Sequence, residues 1–229
     1  AYRMTQNSYT TLEKYLALMT TLYVENPGDG TLLLVTPYGD WRIVEEGPLY
    51  FRQVDGPYHF VFREDDQGRI AYLFTDYTPM MAFEKVKWYE APRFNIPLLL
   101  VSLLMFLSML PVALIRAIRA RRASGDQNST PRVAYWLIVE ISVLNLLFVI
   151  GNVVWGGQIV FGIPFAYNVV LGLGVVSAAL TVGALIFAAL AWKDRYWGVA
   201  SRIHYTLVAI AAVAFVWFLN FWNLLGWRY

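Results

Sequence analysis

The 229-residue chain predicts an α+β membrane protein, in which a small antiparallel β-barrel or sandwich with one short helix precedes a four-helix transmembrane bundle. Three observations lead to that class. Hydrophobic residues make up 58% of the chain and its mean hydropathy is +0.47, above the roughly 45–50% apolar content of soluble domains. Residues 1–95 carry short alternating runs cut by turn residues, whereas residues 96–229 hold four long apolar runs. Charge divides at the same point, with nine Lys and Arg against thirteen Asp and Glu before it, and nine against three after it.

At the start of the first part, Thr10-Thr11-Leu12-Glu13 has the spacing of a capping box, and Leu12, Tyr15, Leu16 and Met19 follow at helical intervals. One short helix is therefore expected to pack on, or plug, a sheet. Strands are expected at residues 21–26, 31–36, 41–45, 49–53, 58–63, 69–75 and 80–88, separated by the turns PGDG, PYGD, EGP, VDGP and EDDQG. Such spacing belongs to an antiparallel sandwich or small barrel. In the hairpin FVFREDDQGRIAYLF, alternation places Phe60 and Phe62 on one face of the first strand, and Ile70, Tyr72 and Phe74 on one face of its partner. Phe60, Phe62, Tyr72 and Phe74 are expected to face inward, because a one-residue slip would expose them.

The second part supplies four spans at about residues 96–115, 133–155, 167–192 and 203–227, near or above the roughly 20 residues that cross a bilayer as a helix. The linker after the first span carries Arg116, Arg119, Arg121, Arg122 and Arg132 against Asp126, and the linker after the third carries Lys193, Arg195 and Arg202 against Asp194. Residues 156–166 carry no charge. Short positive linkers stay in the cytoplasm, so the β-domain and both termini are expected on the extracytoplasmic side of a cytoplasmic membrane. Trp88, Tyr89, Trp155, Trp222, Trp227 and Tyr229 would form the outer aromatic belt, with Tyr135, Trp136, Trp192, Tyr196 and Trp197 as the inner one. Pro111 should kink the first span near its inner end.

Candidate chemistry is sparse. Without cysteine there is no disulfide, thiolate metal site or cysteine nucleophile. The two histidines, His59 and His204, have no second ligand at metal spacing, so surface or interfacial roles are expected, with no metal site. Glu64-Asp65-Asp66 reads as a solvated turn, Gly28-Asp29-Gly30 as a hairpin turn and Gly172-Leu173-Gly174 as helix packing, which leaves no cofactor-binding pattern. No basic patch interleaved with aromatics on a polar background suggests nucleic acid. Inside the membrane block, the acid Glu140 forms a candidate polar site with Asn145, Asn152, Asn220 and Asn223. The expected role is structural, with Glu140 protonated or hydrogen-bonded to a neighbouring span and the asparagines tying helices together. Gly174, Ala178, Thr181, Ala184 and Ala188 make a small-residue stripe for close helix approach.

The runs AYRMTQNSYTTLEKYLAL, DGTLLL, GPLYFRQVDGPYHFVFREDDQGRIAYLF and AFEKVKWYEAP resemble the region that follows the catalytic domain in membrane-bound serine hydrolases of the β-lactamase and penicillin-binding protein family. The resemblance implies a lipocalin-like β-domain followed by transmembrane helices, in a bacterial protein. The family's Ser-x-x-Lys, Tyr/Ser-x-Asn and Lys-Thr-Gly elements are absent from the chain, so no catalytic residue carries over. Residues 1–20 hold no charged-then-apolar export segment, so an upstream hydrolase domain of the same polypeptide is expected, with Ala1 read as a boundary. The expected function is a non-catalytic module that anchors and positions that hydrolase at the membrane. Two rivals are an accessory subunit contacting other membrane subunits, and a small proton-linked transporter built on Glu140.

Overall fold

Alternating side chains, interrupted by Gly- and Asp-bearing turns, produce eight strands in the computed structural model: β1 (Tyr2–Met4), β2 (Tyr23–Glu25), β3 (Thr31–Thr36), β4 (Gly39–Gly47), β5 (Tyr50–Gln53), β6 (His59–Glu64), β7 (Ile70–Thr75) and β8 (Ala82–Lys85). The structure describes residues 1–122 and 132–229; the remainder of the arginine-rich linker, with Asp126, lies outside the described residues. The chain forms two units, Ala1–Ile96 and Pro97–Tyr229.

In the first unit all strand pairs are antiparallel, in the order β1-β8-β7-β6-β5-β4-β3-β2. Tyr2 and Leu22 then exchange backbone hydrogen bonds of 2.8 and 2.9 Å, joining β1 to the residue just ahead of β2. That bridge curls the meander into a near-barrel and engages the two edges that an open sheet would leave free. Three-residue β1 is too short to show a period, so alternation did not announce it. Its partner pairing is reinforced by Arg3, buried to 6% exposure, which donates to Glu84 at 2.6 Å and lies 3.6 Å from Glu90.

The interior is filled by Tyr2, Leu22, Leu34, Ile43, Phe51, Phe60, Phe62, Leu73 and Phe83. Phe62 meets Phe51 and Tyr2 edge-on, at centroid distances of 5.3 and 5.9 Å. Full burial of one such side chain contributes about 1.5–3 kcal/mol. The expected helix is a 3-10 turn, Leu12–Leu16, running into a four-residue α1, Ala17–Thr20. Leu12 and Ala17 are buried while Met19 is 66% exposed, so the apolar stripe ends one turn early. The capping-box geometry is replaced by the Thr11 N–H donating to Ser8 Oγ at 3.0 Å, with the Thr11 hydroxyl on the Glu13 carboxylate.

One expectation is overturned in the β6–β7 hairpin. Phe60 and Phe62 face inward, but Tyr72 and Phe74 are 39% and 37% exposed, and Leu73 occupies the interior. The cause is a bulge: Glu64 pairs with Ile70, but Arg63 pairs with Tyr72, so Ala71 is an extra residue and Phe62 lies opposite Leu73. One inserted residue exchanges the faces of everything beyond it. Alternation within each strand was right; the phase between strands was not.

The second unit, with the turn that leads into it, contains α2 (Pro92–Arg122), α3 (Arg132–Trp155), α4 (Phe165–Lys193) and α5 (Val199–Phe221), with a 3-10 turn at Gly156–Phe161. Four stretches, Pro92–Ile118, Arg132–Ile159, Phe165–Lys193 and Val199–Phe221, are long and apolar enough to cross a membrane. α2 runs unbroken through Pro97 and Pro111. Phe215 forms the centre of the packing, with Phe106 and Phe148 edge-on to it at 5.6 and 6.0 Å. The small-residue stripe faces inward: a Cβ on Gly174 would stand 3.2 Å from Phe148 and 3.3 Å from Leu219. Leu104, Val153, Phe165, Val182 and Ile210 are more than half exposed, an apolar exterior suited to contact with lipid.

Candidate functional site

The five polar residues singled out in the membrane block do not gather into one site. Glu140 is exposed on the outer face of α3, where Trp136 and Leu147 are 60% and 46% exposed. Asn152 does tie helices: its Oδ1 accepts the Tyr167 hydroxyl of α4 at 2.8 Å, and its Nδ2 donates to the Phe148 carbonyl at 3.0 Å. Asn145 is fully buried, yet both amide atoms lack a hydrogen-bond partner. Gly151 faces Val170, Gly174 faces Phe148 and Gly183 faces Leu137, a spacing that puts Asn145 level with Ser177 on α4, whose buried Oγ is likewise unpartnered. Asn220 and Asn223 bind their own tail, since Arg228 donates to both side-chain oxygens at 2.8 Å.

Each histidine has a side-chain neighbour within hydrogen-bond distance. His59 N–H donates to Asp76 at 2.7 Å, with Nδ1 2.9 Å from the other carboxylate oxygen. That backbone donor, followed by the side chain of His59, holds the Asp76 carboxyl below its ordinary value. His204 Nε2 lies 2.7 Å from Ser108 Oγ, linking α5 to α2. Ser108 has one proton, and it goes to the Met105 carbonyl at 2.7 Å. Among the described residues no three His, Asp or Glu side chains form a metal-sized cluster.

Two cavities lie outside the sequence-level candidates. Within the barrel a cavity of about 300 Å³ is lined by Leu34, Trp41, Phe60, Leu73, Tyr77 and Thr78, among others. Trp41 stands edge-on to Tyr77 at 4.8 Å and stacks on Tyr58 at 6.0 Å, and the buried Thr78 Oγ1 has no partner. The chemistry is that of a mainly apolar chamber with several threonine and tyrosine hydroxyls in its wall, that of Thr78 among them. A second cavity, about 230 Å³, opens at the arginine-rich end of the helices between α2, α3 and α5. Arg116 lines it, with its guanidinium 4.4 Å from the Tyr135 ring centre and 5.5 Å from that of Trp197. The hydroxyls of Tyr135 and Tyr205 are buried there without partners among the described residues, and Ser201 and His204 add to the polar lining. Sequence reading could not find these sites, because their residues are far apart along the chain and each alone reads as packing or as an interfacial aromatic. No protein-family model, no curated protein and no solved structure matches the chain.

Proposed function

We propose that this chain is a non-catalytic module that anchors a serine hydrolase domain of the β-lactamase and penicillin-binding protein type to a bacterial cytoplasmic membrane and positions it at the outer face. The observation that carries the reading is the near-closed, eight-stranded meander joined directly to an apolar helix by the run AFEKVKWYEAP. It is the domain order that the family resemblance implies. The junction is anchored locally: Arg93 lies 4.0 Å over the Tyr23 ring, its N–H donates to the Tyr23 hydroxyl at 3.0 Å, and its guanidinium pairs with Glu25. The test is to immunoprecipitate the native polypeptide from cells with a barrel-directed antibody, after labelling with a fluorescent penicillin or fluorophosphonate. The expected band is larger than 26.2 kDa and carries the label. An unlabelled band with no labelled companion overturns the reading.

The exposed carboxyl of Glu140 favours a second reading, an accessory subunit. An ionisable group facing lipid costs several kcal/mol, by about 2.5–3.5 on insertion scales for charged residues at a helix centre. A partner helix carrying a donor would remove that cost. Under this reading Glu140→Leu leaves the isolated chain folded but releases a stoichiometric companion, while Glu140→Gln retains it. Native mass spectrometry of the purified assembly checks both. Glu140 lines neither cavity described above, so the transporter reading gains no support from them.

A further inference from the structure

We propose that the cavity between α2, α3 and α5 is a binding site for a phosphate group, either a phosphodiester lipid headgroup or free phosphate, gripped by Arg116, Tyr135 and Tyr205. Donors dominate its polar lining. Arg116 brings five N–H groups, Tyr135, Tyr205 and Ser201 bring hydroxyls, and among the described residues no carboxylate lines the cavity. Tyr205 is 3% exposed, and its hydroxyl and the buried hydroxyl of Tyr135 have no partner among the described residues. Two buried, unpaired hydroxyls beside a guanidinium are costly when empty. One tetrahedral anion with several acceptor oxygens satisfies all three.

Position supports the same chemistry. The aromatic faces of Tyr135 and Trp197 fix the Arg116 guanidinium beside the opening instead of leaving it to sweep through solvent. Met109 and Val112 provide an apolar wall, and the whole cavity lies between helices long enough to span a membrane. Basic pockets between such helices are places where anionic headgroups bind. His204, 2.7 Å from Ser108, also lines the cavity. The site does not depend on the hydrolase reading.

The test uses the whole chain in detergent. Retained adducts are counted by native mass spectrometry with three probes: dioleoylphosphatidylglycerol, dioleoylglycerol lacking phosphate, and inorganic phosphate. Thermal shift is read in parallel. Phosphatidylglycerol alone binding identifies a lipid headgroup site, and inorganic phosphate binding identifies a site for the free anion; either supports the proposal. Arg116→Gln should weaken binding roughly ten- to a hundredfold, the range for one charge-assisted hydrogen bond. Tyr205→Phe is the control for folding, because deleting an unpaired hydroxyl leaves the empty protein as stable as before, or more so, while weakening the adduct severalfold. Equal retention of dioleoylglycerol, no binding of either phosphate probe, or binding unaffected by both variants overturns it.

Discussion

At the scale of single residues, a polar side chain inside a helical unit matters according to whether its partner is present, and Asn145 and Asn152 make the contrast within one helix. Asn152 supplies the acceptor that the Tyr167 hydroxyl uses at 2.8 Å. Asn152→Leu removes it and is expected to lower stability by about 1–2 kcal/mol, the range for interhelical hydrogen bonds. Asn145 has no partner at either amide atom despite full burial. Asn145→Leu exchanges an unsatisfied amide for an apolar group of similar volume, so it is expected to be neutral or stabilising. Thermal unfolding in detergent compares the two; an Asn145→Leu loss as large as that of Asn152→Leu would show that the amide is satisfied in solution. The asparagines' spacing on one face was legible in the sequence. Which of them finds a partner was not, because that depends on Tyr167 in another helix.

Single elements explain most of what alternation left unresolved in the barrel. The β6–β7 turn is held by Asp65, whose carboxylate accepts from the Arg69 guanidinium at 2.8 and 3.0 Å and from the N–H groups of Gln67 and Arg69 at 2.9 and 3.0 Å. Gly68 has φ +71°, a left-handed conformation that glycine adopts without steric cost. EDDQG was therefore legible as a turn, but the bulge at Ala71 that follows it has no residue signature, and it sends Tyr72 and Phe74 outward. The Arg69 side chain is the main cause that holds the Asp65 carboxyl below its ordinary 3.8, as the His59 N–H does for Asp76. Depressed carboxyls contribute stability that is fully present above their unfolded pKa and is lost as pH falls through the folded one. The whole chain should accordingly lose barrel stability below about pH 3.8, and the double variant Asp65→Asn, Asp76→Asn should show a shallower loss over that window. Near-UV circular dichroism against pH, in detergent, checks it; identical acid limbs would remove these two turns as the cause.

For the whole molecule, the four spans were legible because the bilayer fixes their length; the structure forms a helix at each, though the fourth runs Val199–Phe221 and stops short of the expected end at residue 227. The 230 Å³ cavity was not, since Met109, Arg116, Tyr135 and Tyr205 meet only after three helices pack. Orientation is set by a different property, the charge of the linkers. The linkers after the first and third spans hold eight Lys and Arg, from Arg116 to Arg132 and from Lys193 to Arg202, while residues 156–166 hold none. Bias of this kind in short linkers commonly fixes which side stays in the cytoplasm. Both basic linkers follow odd-numbered spans, so one orientation satisfies both, and the orientation we propose puts the barrel and both termini outside. The proposed hydrolase domain, acting on cell-wall peptides or β-lactams, would need that side as well. The chain has no native cysteine, so single introduced thiols report without background. Cysteine at Ser124 should resist an impermeant maleimide in intact cells and react after permeabilisation, whereas cysteine at Gly157, exposed between α3 and α4, should react in both. Labelling at 124 with protection at 157 would invert the topology, place the barrel in the cytoplasm and remove the outer-face hydrolase from consideration.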